Sequence, residues 1–291
     1  AGGVALNCVA NGKIVKEEIF GKLFIQPAAG DAGGALGAAL AGYYIYFNQE
    51  KNYQEKGDSM KGSYLGPSFN NDDILAVLDD KKISYKKFSA FSQLCDETAS
   101  LIAKGNIIGW FQGRMEFGPR ALGNRSILGD PSYPGMQKKL NLKIKFRESF
   151  RPFAPAVLLD DLNTYFELHN PSPYMLLVSM VQKDKLNIPP ENYKSFSLNE
   201  KLYYPRSEKL QAVTHVDGTA RIQSVASNIN PRFYQLLNAC KEIMGSSVLV
   251  NTSFNVKDEP IVCTPSDAIS CFLKTEMDFL VIGDFMISRN K

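Results

Sequence analysis

Apolar residues recur at three- and four-residue intervals in five stretches, 71–78, 88–103, 133–142, 231–244 and 265–274, and each predicts an amphipathic helix. Between them lie short, nearly unbroken apolar runs at 107–112, 153–158, 174–181, 248–251, 279–282 and 285–288, the pattern of buried strands. The dipeptide Asp217-Gly218 between apolar segments 212–216 and 221–226 predicts a hairpin. At the front, a glycine turn leads into a helix over 4–11, a short strand over 23–26, the turn PAAGDAGG, and an Ala/Gly-rich helix over 35–47 that implies close packing. Residues 48–66 are polar and aromatic without periodicity and read as a linker. Residues 187–205 read as an irregular insertion. Helices and strands alternate, so the expected class is α/β, with an α+β domain at 67–291 and a smaller unit plus linker at 1–66.

Composition narrows the functional classes. With 33 Lys and Arg against 30 Asp and Glu, the net charge of +3 is too small for a nucleic-acid coat or a membrane-surface protein. No apolar run reaches the roughly 18–20 residues that span a bilayer. Five cysteines, odd in number and without a CxxC pair, read as reduced thiols, which places the expected setting in the cytoplasm. Two histidines cannot build a His-rich metal centre.

The candidate chemistry concentrates between residues 113 and 155, where Arg114, Arg120, Arg125, Lys145, Arg147 and Arg151 stand among glycines and prolines rather than along a helix face. Guanidinium groups offer planar paired donors to phosphate and carboxylate oxygens, and glycines let backbone N–H groups approach the same ligand. The pattern describes a site for a small anion, with Glu116 and Glu148 as partners that orient the cations. Three further segments join it. His215 precedes the Asp217-Gly218 turn, and Arg221 returns on the following arm. Asn251, Ser253 and Asn255 lie at a strand exit, where amide and hydroxyl groups either hold a phosphate or ribose or serve local turn chemistry. Asp31, at a helix start, is either an N-cap or a ligand for a metal or ribose, and spacing alone leaves the two open.

Eight segments in order, GGVALNCVANGK, QPAAGDAGGALGAAL, GRMEFGPRALGNRSILGDP, KFRESFRPFAP, SPYM, HVDGTARIQ, VLVNTSFNV and EPIVCTPSDAI, resemble the nodulation-protein and cephem O-carbamoyltransferase family, which includes tobramycin carbamoyltransferase. The resemblance implies the C-terminal remnant of an actin-like, ATPase-fold transferase domain followed by a YrdC-like domain. It implies that the YrdC-like part makes carbamoyl-adenylate from carbamoyl phosphate and ATP with Mg2+, and that the other part, with bound iron, passes the carbamoyl group to an acceptor hydroxyl of a nodulation factor, an antibiotic or a saccharide. Lys145, Arg151, Arg221 and Ser253 fall at the family's catalytic positions, with Arg114, Arg120, Arg125, Arg147, His215, Asn251 and Asn255 beside them. Gly2, Gly3 and Asn7 match the nucleotide-holding turn, and Asp31 a metal-ligand position. The family's HxxxH-type segment has no counterpart here, so the chain is expected to be the later portion of a longer protein whose upstream half is a partner, with a homodimer left open. The rival reading is a module that binds a nucleotide or RNA without catalysis. Neither a membrane nor nucleic acid is expected as partner of the enzyme.

Overall fold

The computed structural model describes residues 2–51 and 58–289. Its nine helices are α1 (Cys8–Lys16), α2 (Asp31–Ala41), α3 (Asn71–Asp80), α4 (Phe91–Ala103), α5 (Met136–Lys143), α6 (Leu162–Tyr165), α7 (Leu198–Tyr203), α8 (Pro231–Met244) and α9 (Pro265–Lys274) among the described residues. The strands are β1 (Lys86–Lys87), β2 (Ile108–Phe111), β3 (Arg125–Gly129), β4 (Ala154–Leu158), β5 (Leu177–Met180), β6 (Thr219–Val225), β7 (Val248–Ser253), β8 (Phe279–Ile282) and β9 (Phe285–Ser288). They form one sheet in the order β1-β9-β8-β2-β3-β7-β4-β6-β5. Among the described residues, only β2–β8 and β4–β6 pair in parallel. The α/β class follows directly.

Side chains alternate across the strands, so each strand feeds two cores. Trp110, Leu128, Ala156 and Leu249 face α4 and α8, whose Leu94, Ala99, Phe233 and Leu237 close over them. Phe111, Ile127, Val157 and Val250 face the opposite way, against Ile74 of α3, Leu140 of α5 and Phe272 of α9. The helices start where local chemistry allows. Asn70 with Asp73, and Thr264 with Asp267, form reciprocal capping boxes at α3 and α9. Pro231 opens α8 behind an Asn230 cap, and Gly245 ends it in the left-handed region.

The front of the chain is tied to this sheet. Helix α1 lies along the edge strand β5. Asn11, buried, donates from Nδ2 to Ala5 O at 2.8 Å and to Leu176 O at 3.1 Å. Gly12 meets β5 so closely that an added Cβ would sit 2.1 Å from Val178 O. Helix α2, by contrast, buries none of its side chains.

Several expectations change. The helix expected over 4–11 is a 3-10 turn, Gly3–Leu6, followed by α1, because Asn7 accepts from Ala10 N and restarts the helix there. Residues 23–26 have no strand partner among the described residues. The helix over 35–47 begins earlier, at Asp31, and widens into a π turn, Gly42–Tyr46. Of the linker, 52–57 lie outside the described residues, while 61–63 form a 3-10 turn. The 212–216 arm is not a strand. Ala212 already donates to Pro131 O and accepts from Phe153 N, so β6 pairs instead with β5 and β4. Strand β3 emerges from the basic cluster unanticipated, and α7 lies within the expected insertion.

Candidate anion-binding site

Strands β7, β4 and β6 run side by side, with Ala154 opposite Asn251 and Ala156 opposite Gln223. This register brings the exit of β7 and the entries of β4 and β6 to one end of the sheet. A cavity of about 330 Å³ opens there. Its walls include Arg120, Arg147, His215, Arg221, Asn251 and Ser253, drawn from five separated segments. No aspartate or glutamate lines it among the described residues. Three guanidiniums with no carboxylate between them make a hole shaped for negative charge.

The arginine environments bear this out. Burial first, and then the charge of Arg120, pulls Arg221 well below the ordinary guanidinium range, against the opposing pull of Cys8, which lines the same cavity. Burial, with Arg151 nearby, lowers Arg147 as well. Arg147 is held over the Phe153 ring at 4.9 Å, with its Nε donating to Asn141 Oδ1 at 2.7 Å. A cluster that is disfavoured while empty is relieved by a bound anion.

Lys145 stands behind this wall, with Nζ donating to Ser253 O at 2.5 Å and to Asn255 O and Oδ1 at 3.0 and 2.8 Å, and Ser253 Oγ at 3.2 Å. These oxygens help retain the proton, whereas burial and then the charge of Arg147 pull the ammonium down to about 7. Ser253 Oγ donates to Asn255 Oδ1 at 2.6 Å, so lysine, serine and asparagine are joined in one hydrogen-bonded unit. Between Lys145 and Arg147, Phe146 takes a φ of 47°, a left-handed value that is costly for a bulky residue. His215 Nδ1 pairs with Thr219 Oγ1 at 2.9 Å, and burial, against the pull of Asp217, holds its imidazole below the usual range.

The loop that carries Arg120 hangs from Glu116. Its buried Oε1 accepts from the backbone N–H groups of Leu122 at 2.7 Å, Asn124 at 2.8 Å and Arg125 at 3.3 Å. Burial raises the affinity of this carboxyl for its proton, and the same hydrogen bonds oppose the rise. Gly123, at φ 105°, lets the loop pass against Phe233, where an added Cβ would sit 2.2 Å from the ring. Glu116 thus orients the loop backbone, not an arginine side chain.

The structure does not bring every expected residue to the cavity. Arg125 is fully buried and stacks on Phe111 at 3.6 Å. It donates to the carbonyls of Gln112, Gly113, Asn124 and Pro67. Arg114 is exposed and outside the cavity lining. Arg151 is exposed and paired with Glu148 at 2.9 Å. Gly2 and Gly3 are exposed in the front turn, and Asn7 caps α1. Asp31 is exposed at the first position of α2, and no group of three His, Cys, Asp or Glu side chains that could hold a metal occurs among the described residues. The residues present therefore do not form a metal site by themselves. Two contributors went unanticipated. Cys8 lines the cavity with no motif to signal it, and Gln223 donates to Leu122 O at 2.7 Å. A lone amide on the core-facing side of an apolar strand was the available sign of the latter.

Comparison with known proteins converges on one family. The model for the carbamoyltransferase C-terminus matches residues 99–289, and that for the carbamoyltransferase N-terminus matches residues 1–40. An uncharacterized protein of Synechocystis is 54% identical over 99% of this chain and 47% of its own length. A nodulation protein of Bradyrhizobium diazoefficiens is 39% identical over 99% of this chain and 48% of its own length. The 3'-hydroxymethylcephem-O-carbamoyltransferase of Amycolatopsis lactamdurans is 31% identical, again over 99% and 48%. The chain thus spans less than half the length of these relatives. Among solved structures, Sua5 of P. abyssi is similar with a TM-score of 0.42 at 11% identity, over 66% of this chain and 49% of that one, too low a likeness to carry an argument.

Proposed function

Because the chain belongs to the carbamoyltransferase family, we propose that its 67–291 portion is a YrdC-like domain that activates a carbamoyl group with ATP, as one part of a longer O-carbamoyltransferase. Water releases phosphate from carbamoyl phosphate and leaves carbamate. A carbamate oxygen then attacks the α-phosphorus of ATP, the bond to the pyrophosphate oxygen breaks, and carbamoyl-adenylate remains. Negative charge accumulates around the α-phosphorus during that exchange, and fixed cations stabilise it. Arg120, Arg147 and Arg221 supply those cations, while Lys145 braces Ser253 at the rim. Magnesium would arrive with the nucleotide. Iron, and Asp31 as its ligand, belong to a transfer step that the residues described here do not assemble.

The observation that carries this reading is the convergence of three arginines without an acid in one cavity. It also weighs against an RNA-binding module, since a polyanion needs an extended basic track rather than one cavity of about 330 Å³. The acceptor is proposed at the level of a hydroxyl on a nodulation factor, antibiotic or saccharide. The decisive assay follows pyrophosphate release from ATP in the presence of carbamoyl phosphate. Release is expected from the full-length protein and lost on Arg221→Ala, and a variant with unchanged turnover would remove Arg221 from the site.

A further inference from the structure

Two polar atoms of residues that line the arginine cavity are buried without a hydrogen-bond partner among the described residues: Arg120 Nε, a donor, and Asn251 Oδ1, an acceptor. The arginine calls for an anion, but an acceptor calls for the reverse. Unpaired buried acceptors are uncommon enough to need an explanation.

The direction of the Asn251 amide is fixed by its neighbours. Leu122 O can only accept, and it takes a hydrogen bond from Gln223 Nε2 at 2.7 Å and another from Tyr64 OH at 2.8 Å. Gln223 must therefore present Oε1 to Asn251, whose Nδ2 donates to it at 2.7 Å and also to Ala121 O at 3.3 Å. Turning the Asn251 amide over would set its oxygen against two other oxygens. A backbone carbonyl thus dictates, through two amides in series, that Oδ1 is left over. Asn251 is itself only 1% exposed and forms part of the cavity wall, so a ligand in the cavity is the candidate donor to Oδ1.

We propose that Asn251 is the residue that recognises the amino group of the carbamoyl substrate, its Oδ1 accepting an N–H while the arginines hold the phosphate. The proposal rests on the carbamoyl-activating reading above. A ligand complementary to both orphaned atoms carries an acceptor oxygen and an N–H on one small frame, as carbamoyl phosphate does. Acetyl phosphate is nearly isosteric but has a methyl group in place of the amine, which would leave Oδ1 unpaired. Sites built to pair a buried polar group reject ligands that lack the complement.

The test compares dissociation constants of carbamoyl phosphate and acetyl phosphate for the full-length protein, without nucleotide. The wild type is expected to favour carbamoyl phosphate by about 10- to 100-fold, and Asn251→Ala to bring the two constants within about threefold of each other. Equal wild-type affinities would overturn the proposal without recourse to any variant. So would a folded Asn251→Ala protein, judged by circular dichroism, that keeps the full preference. The functional reading fails separately, if neither compound binds more tightly than inorganic sulfate or if Arg221→Ala leaves carbamoyl phosphate binding intact.

Discussion

Replacing Arg221 with methionine is expected to make the ligand-free protein more stable. Arg221 is a guanidinium that keeps its charge at every accessible pH, in a wall shared with Arg120 and Arg147 and no carboxylate. Burial first, and then the charge of Arg120, lowers the affinity of Arg221 for its proton, and exchanging a buried charge for an apolar residue of similar volume is often stabilising by about 1–4 kcal/mol. Methionine keeps the apolar stem and removes the charge, so a gain on the order of 1–3 kcal/mol is expected. Urea denaturation in low-salt buffer measures it. The same titration with inorganic phosphate at a hundredfold excess over its dissociation constant should stabilise the wild type by about 2.7 kcal/mol and the variant by far less. Arg125→Met supplies the opposite sign, because the Gln112 and Gly113 carbonyls that accept from Arg125 would lose that donor, at about 1–3 kcal/mol for a buried acceptor left unpaired. An Arg221→Met protein that lost more than about 1 kcal/mol without phosphate would refute the idea of a cationic cluster strained while empty.

Affinity for sulfate, an anion that does not titrate in this range, should fall as pH rises through about 7, where Lys145 loses its proton, and Lys145→Met should flatten that profile; calorimetric titration from pH 6 to 8.5 checks it. The linked stability runs the other way. Below about pH 7 both native and unfolded chains hold this proton and the buried charge exerts its full cost, whereas above it the native chain releases the proton first, so the contribution improves with pH until the unfolded lysine also titrates. Gly12→Ala should loosen α1 from β5, since the new methyl would sit 2.1 Å from Val178 O; faster amide exchange over residues 8–16 is the expected signature, and unchanged protection there would contradict the packing described.

The elements that could be read from the amino acids are those in which local and long-range preferences agree. Helices α8 and α9 and strands β8 and β9 fall where periodicity, capping residues and bounding turns coincide. Strand β3 was hidden because Arg125–Gly129 follows a glycine loop and carries a charged residue whose burial only tertiary carbonyls make tolerable. The hairpin at Asp217-Gly218 was misjudged for a related reason. A turn dipeptide reports its own conformation, while the arm before it had its backbone bonded to Pro131 and Phe153. Within the site, Arg120, Arg147, His215, Arg221, Asn251 and Ser253 could be gathered from residue type and resemblance, and the structure places them together. Arg125 and Arg151 show the limit of that approach, because a positive charge in a basic segment does not reveal whether it faces a ligand, a row of carbonyls or solvent. Cys8 gave no warning at all.

The position of Cys8 bears on how this protein can be dissected. It comes from the stretch matched by the N-terminal family model, yet it forms part of a cavity otherwise built from the C-terminal one. A cut or a chimera junction at the polar stretch around residue 50 would carry away one side of that cavity along with α1. Anyone exchanging segments between relatives would do better to keep residues 2–16 with the sheet on which they lie.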